Sequence, residues 1–337
     1  MKRQLRQFAL ALRAIGAFLL ICPTWLNSEV NAAEDIPLSI GEASPANTYL
    51  AIWMAEEAGL YEAQGIDLNI VPMVGGRETA PALETGIIQL MHIGMSSVVR
   101  ANAAGSDLRV IGSLSNVIRQ TMFLAPGLSG ADELRGGTVG ISSIGSESDS
   151  TSTLALERLG LTRDDVTFRE IGRNRLPILQ SGAVSATMLG EPYRSEAFAA
   201  GLDPIVDLYA ERIAWLYSGL TVDRAYLNEN RDVILRFMRA TVEGNYIAVS
   251  DETRAKAVLA RELQLSDPEI IDASYDNFKV ETPINVEIDP AGAENILTAL
   301  MGKGASIDVE DYIDVTIGEE LRADGFYAAM QEKYGAP

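Results

Sequence analysis

Residues 82–94, ALETGIIQLMHIG, recur in outline as residues 179–190, LQSGAVSATMLG. In each copy a helical segment ends at a glycine, and an apolar, strand-like segment then runs to a second glycine. The first copy has these glycines at Gly86 and Gly94, and the second copy repeats both of them 96 residues later. Such a fixed spacing predicts an internal structural repeat.

The repeat extends upstream of both copies. Strand-like segments 38–44 (LSIGEAS) and 66–71 (IDLNIV) precede the first copy, and segments 138–142 (TVGIS) and 166–171 (VTFREI) precede the second. A helical segment separates the two strands of each pair. This alternation predicts two α/β units, each with a parallel sheet and helices on both of its faces.

Two such units in tandem predict a bilobed α/β protein with two doubly wound lobes. The strand-like runs 118–124 and 215–222 flank the second unit, and we expect them to be the two crossover segments between the lobes. The chain is helical in pattern after residue 223, and we expect this tail to complete lobe one and brace the hinge. Lobe one is therefore predicted to be 33–122 plus 219–337, and lobe two 123–218.

The N-terminal residues have the pattern of a cleavable signal peptide. Residues 1–13 carry four basic residues and no acidic one, residues 14–21 are apolar, and a small-residue site lies at 30–33. We expect cleavage after Ala32 and a periplasmic protein. Removal of residues 1–32 changes the formal net charge from −20 to −23 and removes the single cysteine.

Composition excludes several classes of function. The chain of 337 residues is 47% hydrophobic and 22% charged, as in globular proteins. Its acidity argues against a nucleic-acid partner. One cysteine and one histidine, Cys22 and His92, predict no zinc site and no disulfide. Because His92 lies within a strand pattern, we expect a packed side chain rather than a catalytic base, and no enzyme, metal or cofactor.

The loops that follow the predicted strands are the candidate binding site. Ligands of open α/β sheets bind beyond the carboxyl ends of the strands, so two facing lobes would bring six loops to one cleft. These loops are residues 44–48, 75–77, 95–97, 142–146, 172–175 and 190–193. They are rich in Gly, Ser, Asn and Arg, which suit anion binding at helix N-termini. The same residues also cap helices and form turns without any ligand.

Three candidates in these loops have alternative roles. Arg173 can point into the cleft, as can its neighbour Arg175, or either can be a solvated surface charge. Glu191 can accept a ligand amine or cap the following helix. Trp215, at a crossover, is expected to line the cleft, whereas Trp53 has the spacing of a core residue.

Several segments together resemble one protein family. Residues 57–68 (EAGLYEAQGIDL) and the ALETG helix end, then 131–136 (ADELRG) and 190–193 (GEPY), are similar to substrate-binding proteins of ABC importers, in the sulfonate/nitrate/taurine group. That group also contains aromatic-acid and thiamine-precursor binders. The resemblance covers about residues 36–250. It implies a type II periplasmic-binding-protein fold, Venus-flytrap closure and delivery of a ligand to a membrane permease.

The resemblance also implies which residues contact the ligand. In the matching loops these are Ser44, Asn47, Gly76, Ser96, Ser97, Ser143, Ser146, Asn174 and Glu191, and the candidates Arg77, Gly145, Arg173 and Trp215 complete the set. We expect a monomer that binds a small organic anion, a sulfonate or a carboxylate, with aromatic character allowed. No dense cationic cluster is expected in the cleft, which argues against an inorganic anion such as nitrate.

Three other functions remain open at this point. A thiamine-precursor-like pyrimidine could be the ligand. A secreted enzyme could be built on the same fold, with His92 essential for turnover. The partner of the binding protein could be a sensor rather than a permease.

Overall fold

The two sequence units fold into two separate β-sheets. The computed structural model describes residues 35–43, 45–73, 78–302 and 308–335. Its strands are β1 (Ile36–Glu42), β2 (Ile66–Pro72), β3 (Leu90–Ile93), β4 (Leu108–Val117), β5 (Thr121–Leu124), β6 (Thr138–Ile141), β7 (Thr167–Glu170), β8 (Ala186–Leu189), β9 (Pro204–Asp207) and β10 (Ala214–Asp223).

Helices cover the sheets and form most of the tail. They are α1 (Leu50–Glu57), α2 (Leu60–Ala63), α3 (Thr79–Glu84), α4 (Met95–Ala103), α5 (Glu147–Arg158), α6 (Arg175–Gln180), α7 (Tyr193–Ala199), α8 (Leu208–Glu211), α9 (Arg224–Glu229), α10 (Arg231–Ser250), α11 (Glu252–Glu262), α12 (Pro268–Glu281), α13 (Pro290–Met301), α14 (Thr316–Ala323) and α15 (Phe326–Tyr334). Among the described residues, no helix is both long and apolar enough to cross a membrane.

The two sheets have the same strand order. The first is β2-β1-β3-β10-β4 and the second is β7-β6-β8-β5-β9. In each sheet the first three strands are parallel, as the repeat predicted. The fourth strand is antiparallel to its neighbours, so the expectation of purely parallel sheets was wrong. Both of these strands, β5 and β10, enter their sheet directly from the other lobe and therefore run in the opposite direction.

The crossings between the sheets are short. The chain leaves the first sheet after Val117 and enters the second at Thr121, and it returns between Asp207 and Ala214. Residues 214–218, which the sequence placed in lobe two, belong to β10 and begin to pair with β4 of the first sheet. The predicted lobe boundaries themselves stay a prediction, as does the signal peptide, which lies outside the described residues.

The repeat glycines stop their helices as predicted. Gly86 and Gly182 follow α3 and α6 and have φ angles of 71° and 72°. This left-handed conformation is favourable for glycine and strained for other residues. Each glycine therefore turns the chain from a helix into the next strand, which delivers β3 and β8 to equivalent places in their sheets.

The helical tail packs mainly on the first sheet. Helix α10 lies against α1, and the two backbones come so close at Gly244 that a Cβ there would lie 2.4 Å from the Ala51 carbonyl oxygen. Asp267 is the N-cap of helix α12: its carboxylate accepts a hydrogen bond from the Glu269 N–H, and a proline follows in the first turn. Because α12 also contacts α7 of the second lobe, the tail bridges the hinge region.

Candidate functional site

A cleft lies between the two sheets at the carboxyl ends of their parallel strands. It contains about 1100 Å³ of space, including the solvent at its mouth. Five of the six predicted loops contribute to it, namely those after β1, β3, β6, β7 and β8. The sixth loop, residues 75–77, lies outside the described residues. The first crossing also reaches the cleft, through Arg119 and Gln120, and β10 reaches it through Tyr217 and Ser218.

Serine hydroxyls line the second-lobe wall at the start of α5. The Oγ atoms of Ser142, Ser146 and Ser148 lie 2.8–3.0 Å from one another in a closed cluster. Ser146 is also the N-cap of α5, because its Oγ accepts from the Asp149 N–H. Ser146 therefore caps α5 and lines the cleft at the same time. Hydroxyls and helix N–H groups at such an N-terminus favour an anion.

Three arginines line the same cleft. Arg119 lies on the first crossing and is only 3% exposed, while Arg173 and Arg175 come from the loop after β7. The Arg175 Nε donates to the Met188 carbonyl at 3.1 Å, which fixes that side chain. Burial lowers the pKa of Arg175, and it lowers that of Arg119 to about 10, so Arg119 remains charged at neutral pH. One of these arginines, Arg119, comes from a crossing and not from a loop, so the loops alone did not predict it.

Arg119 is held from one side by the tail helix α12. Its Nε donates to the Asn277 Oδ1 at 3.0 Å, and its Nη2 donates to the same oxygen. The Asn47 Nδ2 also donates to this oxygen at 2.9 Å, and to the Ser274 carbonyl at 2.8 Å. The remaining Arg119 nitrogen, Nη1, is buried and has no hydrogen-bond partner among the described residues. A buried guanidinium with a free N–H edge is a strong site for an anionic acceptor.

Glu147 connects the second lobe to the first. Its Oε1 accepts from the Ser96 N–H at 2.6 Å, near the N-terminus of α4, and its Oε2 accepts from the Trp215 Nε1 at 2.9 Å. Its Cγ packs so closely on Gly94 that a Cβ at that glycine would lie 1.9 Å away. Burial raises the pKa of Glu147 to about 7, although both hydrogen bonds act in the opposite direction.

His92 and two tyrosines complete the walls. The His92 Nε2 hydrogen-bonds to the Ser218 hydroxyl, and the Tyr49 ring packs edge-on at 4.0 Å between centroids. Burial lowers the pKa of His92 to about 3, so the ring is neutral. Tyr193 and Tyr217 offer aromatic surface within the cleft, and burial raises the pKa of Tyr217 to about 12.

The structure separates the predicted ligand contacts into three groups. Those that line the cleft are Asn47, Ser97, Ser146, Arg173 and Glu191. Those that do not line it are Ser96, Ser143, Gly145, Asn174 and Trp215. Those outside the described residues are Ser44, Gly76 and Arg77.

Several predicted residues have local structural roles. Glu191 is buried, and its carboxylate accepts from the Ser195 N–H at 3.2 Å and lies 3.5 Å from Arg194, so it caps α7 while lining the cleft. Burial raises the pKa of Glu191. The Gly145 N–H donates to Asp149. Trp215 acts through its hydrogen bond to Glu147 instead of lining the cleft.

Sequence reasoning missed Arg119, Glu147 and Tyr217 as cleft residues. Arg119 is the one charged residue in the strand-like run 118–124. A charge within this apolar crossing was the feature of the sequence that could have identified it as a cleft residue. Glu147 gave no local signal, because its partners lie 51 and 68 residues away in the sequence. Within the described chain, no group of three or more His, Cys, Asp or Glu could hold a metal ion.

Comparison with known proteins identifies relatives of this chain. A family model described as "NMT1/THI5 like" matches residues 47–255, more than half of the chain. The riboflavin-binding protein RibY of Chloroflexus aurantiacus is 25% identical over 209 residues, which cover 59% of this chain and 58% of RibY. This chain therefore spans little more than half the length of that relative.

Solved structures show the same fold at low identity. The periplasmic nitrate-binding protein NrtA from Synechocystis PCC 6803 has a TM-score of 0.71 at 15% identity, covering 88% of this chain and 91% of NrtA. The alkanesulfonate-binding protein SsuA from Xanthomonas axonopodis pv. citri, bound to MOPS, has a TM-score of 0.66 at 19% identity, covering 79% and 92%. These likenesses confirm the predicted bilobed periplasmic-binding-protein fold.

Proposed function

Because the chain belongs to the NMT1/THI5-like family, we propose that it is the periplasmic solute-binding protein of an ABC importer. In this proposal the cleft captures a small organic anion, a sulfonate or a carboxylate, and the closed protein delivers it to a membrane permease. The names of the structural relatives, which bind nitrate and alkanesulfonate, support this ligand class. The protein works as a monomer and carries no covalent chemistry.

The observation that carries the ligand class is the charge balance of the cleft. Three arginines line it, and the buried Nη1 of Arg119 lacks a partner among the described residues. The two lining carboxylates, Glu147 and Glu191, are already hydrogen-bonded by protein donors. The cations are therefore the groups with unused capacity, and a ligand acceptor satisfies them best.

The geometry supports a binding sequence with three steps. The ligand's anionic group first meets Arg119 at the crossing, and Arg173 approaches it from the second lobe. The organic part then lies against Tyr193 and Tyr217, whose rings provide apolar surface. Rotation about the short crossings brings the serine cluster of α5 toward the bound group and excludes water. Catalysis is not supported, because no described carboxylate hydrogen-bonds His92 to orient it as a base.

A ligand screen tests the proposed class. We would measure the thermal shift of the protein with alkanesulfonates, benzenesulfonate, benzoate, amino-sulfonates, pyrimidines and riboflavin, and follow hits by calorimetry. The expected result is stabilisation by at least one sulfonate or carboxylate. Stabilisation by neutral or cationic compounds alone would contradict the anion proposal.

Two arginines of one segment provide a matched pair of variants. Arg173 lines the cleft, whereas Arg169, on β7, donates to the Ala183 carbonyl at 3.3 Å outside it. We expect Arg173→Ala to weaken binding of the best anion about tenfold, the loss of one charged hydrogen bond. Arg169→Ala should leave the affinity unchanged, and equal losses in both variants would mean that the cleft arginine makes no contact.

A neutral aromatic heterocycle is the second candidate ligand. The tyrosines of the cleft favour it, and so does the likeness to a protein named for riboflavin binding. The same screen separates the candidates. A heterocycle ligand would bind with little dependence on Arg119, whereas an organic anion would lose most of its affinity in Arg119→Met.

A further inference from the structure

Arg119 is paired differently from Arg163 and Arg212, two exposed arginines that each contact a buried carboxylate. Arg163 pairs with the fully buried Asp149, and Arg212 pairs with Glu281, which is 5% exposed. Arg119 is more buried than either cation, yet no described carboxylate lies within ion-pair distance of it. Its direct partner is the amide oxygen of Asn277, on α12.

The orientation of the Asn277 amide follows from its donors. The Ser274 carbonyl can only accept, so the Asn47 atom facing it is Nδ2, which also faces Asn277. A guanidinium can only donate, and it faces the same Asn277 atom. Three N–H donors thus converge on one atom, which must be the Oδ1 of Asn277. The amide group fixes the Nε edge of Arg119 without contributing a negative charge.

Because the Asn277 amide is neutral, Arg119 is buried without an opposite charge from the described residues in contact with it. Burying a charge is costly unless an opposite charge accompanies it. Here Glu281 and Glu191 act on Arg119 only at longer range, and burial still lowers its pKa. Among the described residues, the guanidinium therefore has no directly paired opposite charge, and its buried Nη1 has no hydrogen-bond partner.

Resting on the proposed function, we propose that Asn277 is a specificity-determining positioning residue for the anionic group of the ligand. Its amide oxygen orients Arg119 toward the cleft and leaves the cation for the ligand to neutralise. Asn277 lies beyond residues 47–255, the segment that matches the family. Selectivity for an anion is thus set partly by the C-terminal helix, which also contacts the second lobe.

The isosteric variant Asn277→Asp tests this inference by two opposite effects. A carboxylate would neutralise Arg119 internally, so the Tm of the ligand-free protein should rise by about 2–4 °C. The same change should weaken binding of the anionic probes methanesulfonate and benzenesulfonate at least tenfold in calorimetry. A residue with only a packing role would not raise stability while it lowers affinity.

A double-mutant cycle controls for unrelated effects of the new charge. In an Arg119→Met background, Asn277→Asp should no longer raise the Tm, because its cationic partner is gone. A rise that persists there, or an unchanged probe affinity in Asn277→Asp, would overturn the inference. If neither probe binds the wild-type protein, these sulfonates are excluded as ligands, and the carboxylates of the screen decide the proposed ligand class. The Tm values of the ligand-free variants in the double-mutant cycle then still show whether Asn277 leaves Arg119 without an opposite charge.

Discussion

Glu147 illustrates how one side chain can join distant parts of the molecule. It begins α5 in the second lobe, and it accepts hydrogen bonds from the Ser96 N–H and from Trp215 of the first sheet. Gly94 makes room for it. Gly94 directly follows β3 and is one of the repeat glycines. The same residue that follows the strand therefore also lets Glu147 of the second lobe pack against the first lobe.

The pKa of Glu147 predicts a pH dependence of stability. Burial raises this pKa from 4.5 to about 7, so between these values the folded protein holds a proton that the unfolded chain releases. The contribution of Glu147 to the free energy of unfolding therefore falls as pH rises from 4.5 to 7, and it is constant above that range. Glu147→Gln removes this contribution. The decrease in the free energy of unfolding between pH 5 and pH 8, measured by urea titration, should therefore be smaller in this variant than in the wild type.

Glu157 provides the control for this prediction. It lies on the same helix and is exposed, so Glu157→Gln should keep the wild-type pH profile. A profile that is identical in all three proteins would show that Glu147 does not titrate in this interval.

The site residues were only partly predictable from the sequence. The sequence placed Ser146, Arg173 and Glu191 near the cleft, because loops that follow parallel strands lie at the carboxyl edge of the sheet, where ligands bind. Arg119 and Asn277 could not be paired in advance, since they are 158 residues apart and only the folded tail brings them together. Their contact is a property of tertiary packing, which local patterns do not contain.

At the scale of elements, the packing of α10 on α1 depends on Gly244. Glycine within a helix costs about 1 kcal/mol relative to alanine, so Gly244→Ala improves the helix itself. The added Cβ would lie 2.4 Å from the Ala51 carbonyl oxygen and 2.7 Å from the Ala55 Cβ. Because neither atom can move without its helix, we expect a net loss of about 1–2 kcal/mol in urea unfolding.

Gly318 is the matched control for that substitution. It lies in α14, and a Cβ there would meet only the Tyr327 hydroxyl at 3.4 Å, an ordinary contact. Gly318→Ala should therefore be neutral or stabilise the protein by about 0.5–1 kcal/mol. Stabilisation by both substitutions would mean that α1 and α10 are packed less closely than described.

The elements themselves followed closely from local signals, whereas their directions did not. Gly86 and Gly182 marked helix ends correctly because a left-handed turn favours glycine. The parallel strands followed from their alternation with helices. The antiparallel insertion of β5 and β10 was missed, since a strand pattern shows that a segment pairs but not with which neighbour or in which direction.

At the scale of the whole molecule, Trp215 should report movement of the lobes. Its indole N–H is bonded to Glu147 across the two lobes, while Trp53 is buried beside Tyr49 in the first core. We expect a ligand that changes the lobe contact to shift the fluorescence of wild type and of Trp53→Phe. The shift should vanish in Trp215→Phe, and a shift that persists there would place the change elsewhere.

The net charge predicts an unusual salt dependence of association. With a formal net charge of −20, the molecule repels an anion at long range, although the cleft arginines attract it locally. Salt screens the long-range repulsion over about 10 Å at 0.1 M. The association rate of an anionic ligand in stopped-flow fluorescence should therefore rise between 10 and 150 mM salt, roughly the interval over which this screening sets in. A falling rate would indicate that local attraction controls the encounter.

The exchange of strands between the two sheets also sets an order of assembly. All five strands of the second sheet come from the continuous segment 121–207, whereas the first sheet needs 36–117 and then β10 at 214–223. During synthesis from the N-terminus, the second sheet has its full set of strands while the first still lacks the strand between β3 and β4. The first lobe is thus the last to become complete, and its unfinished edge is the part of a nascent chain most in need of protection by chaperones.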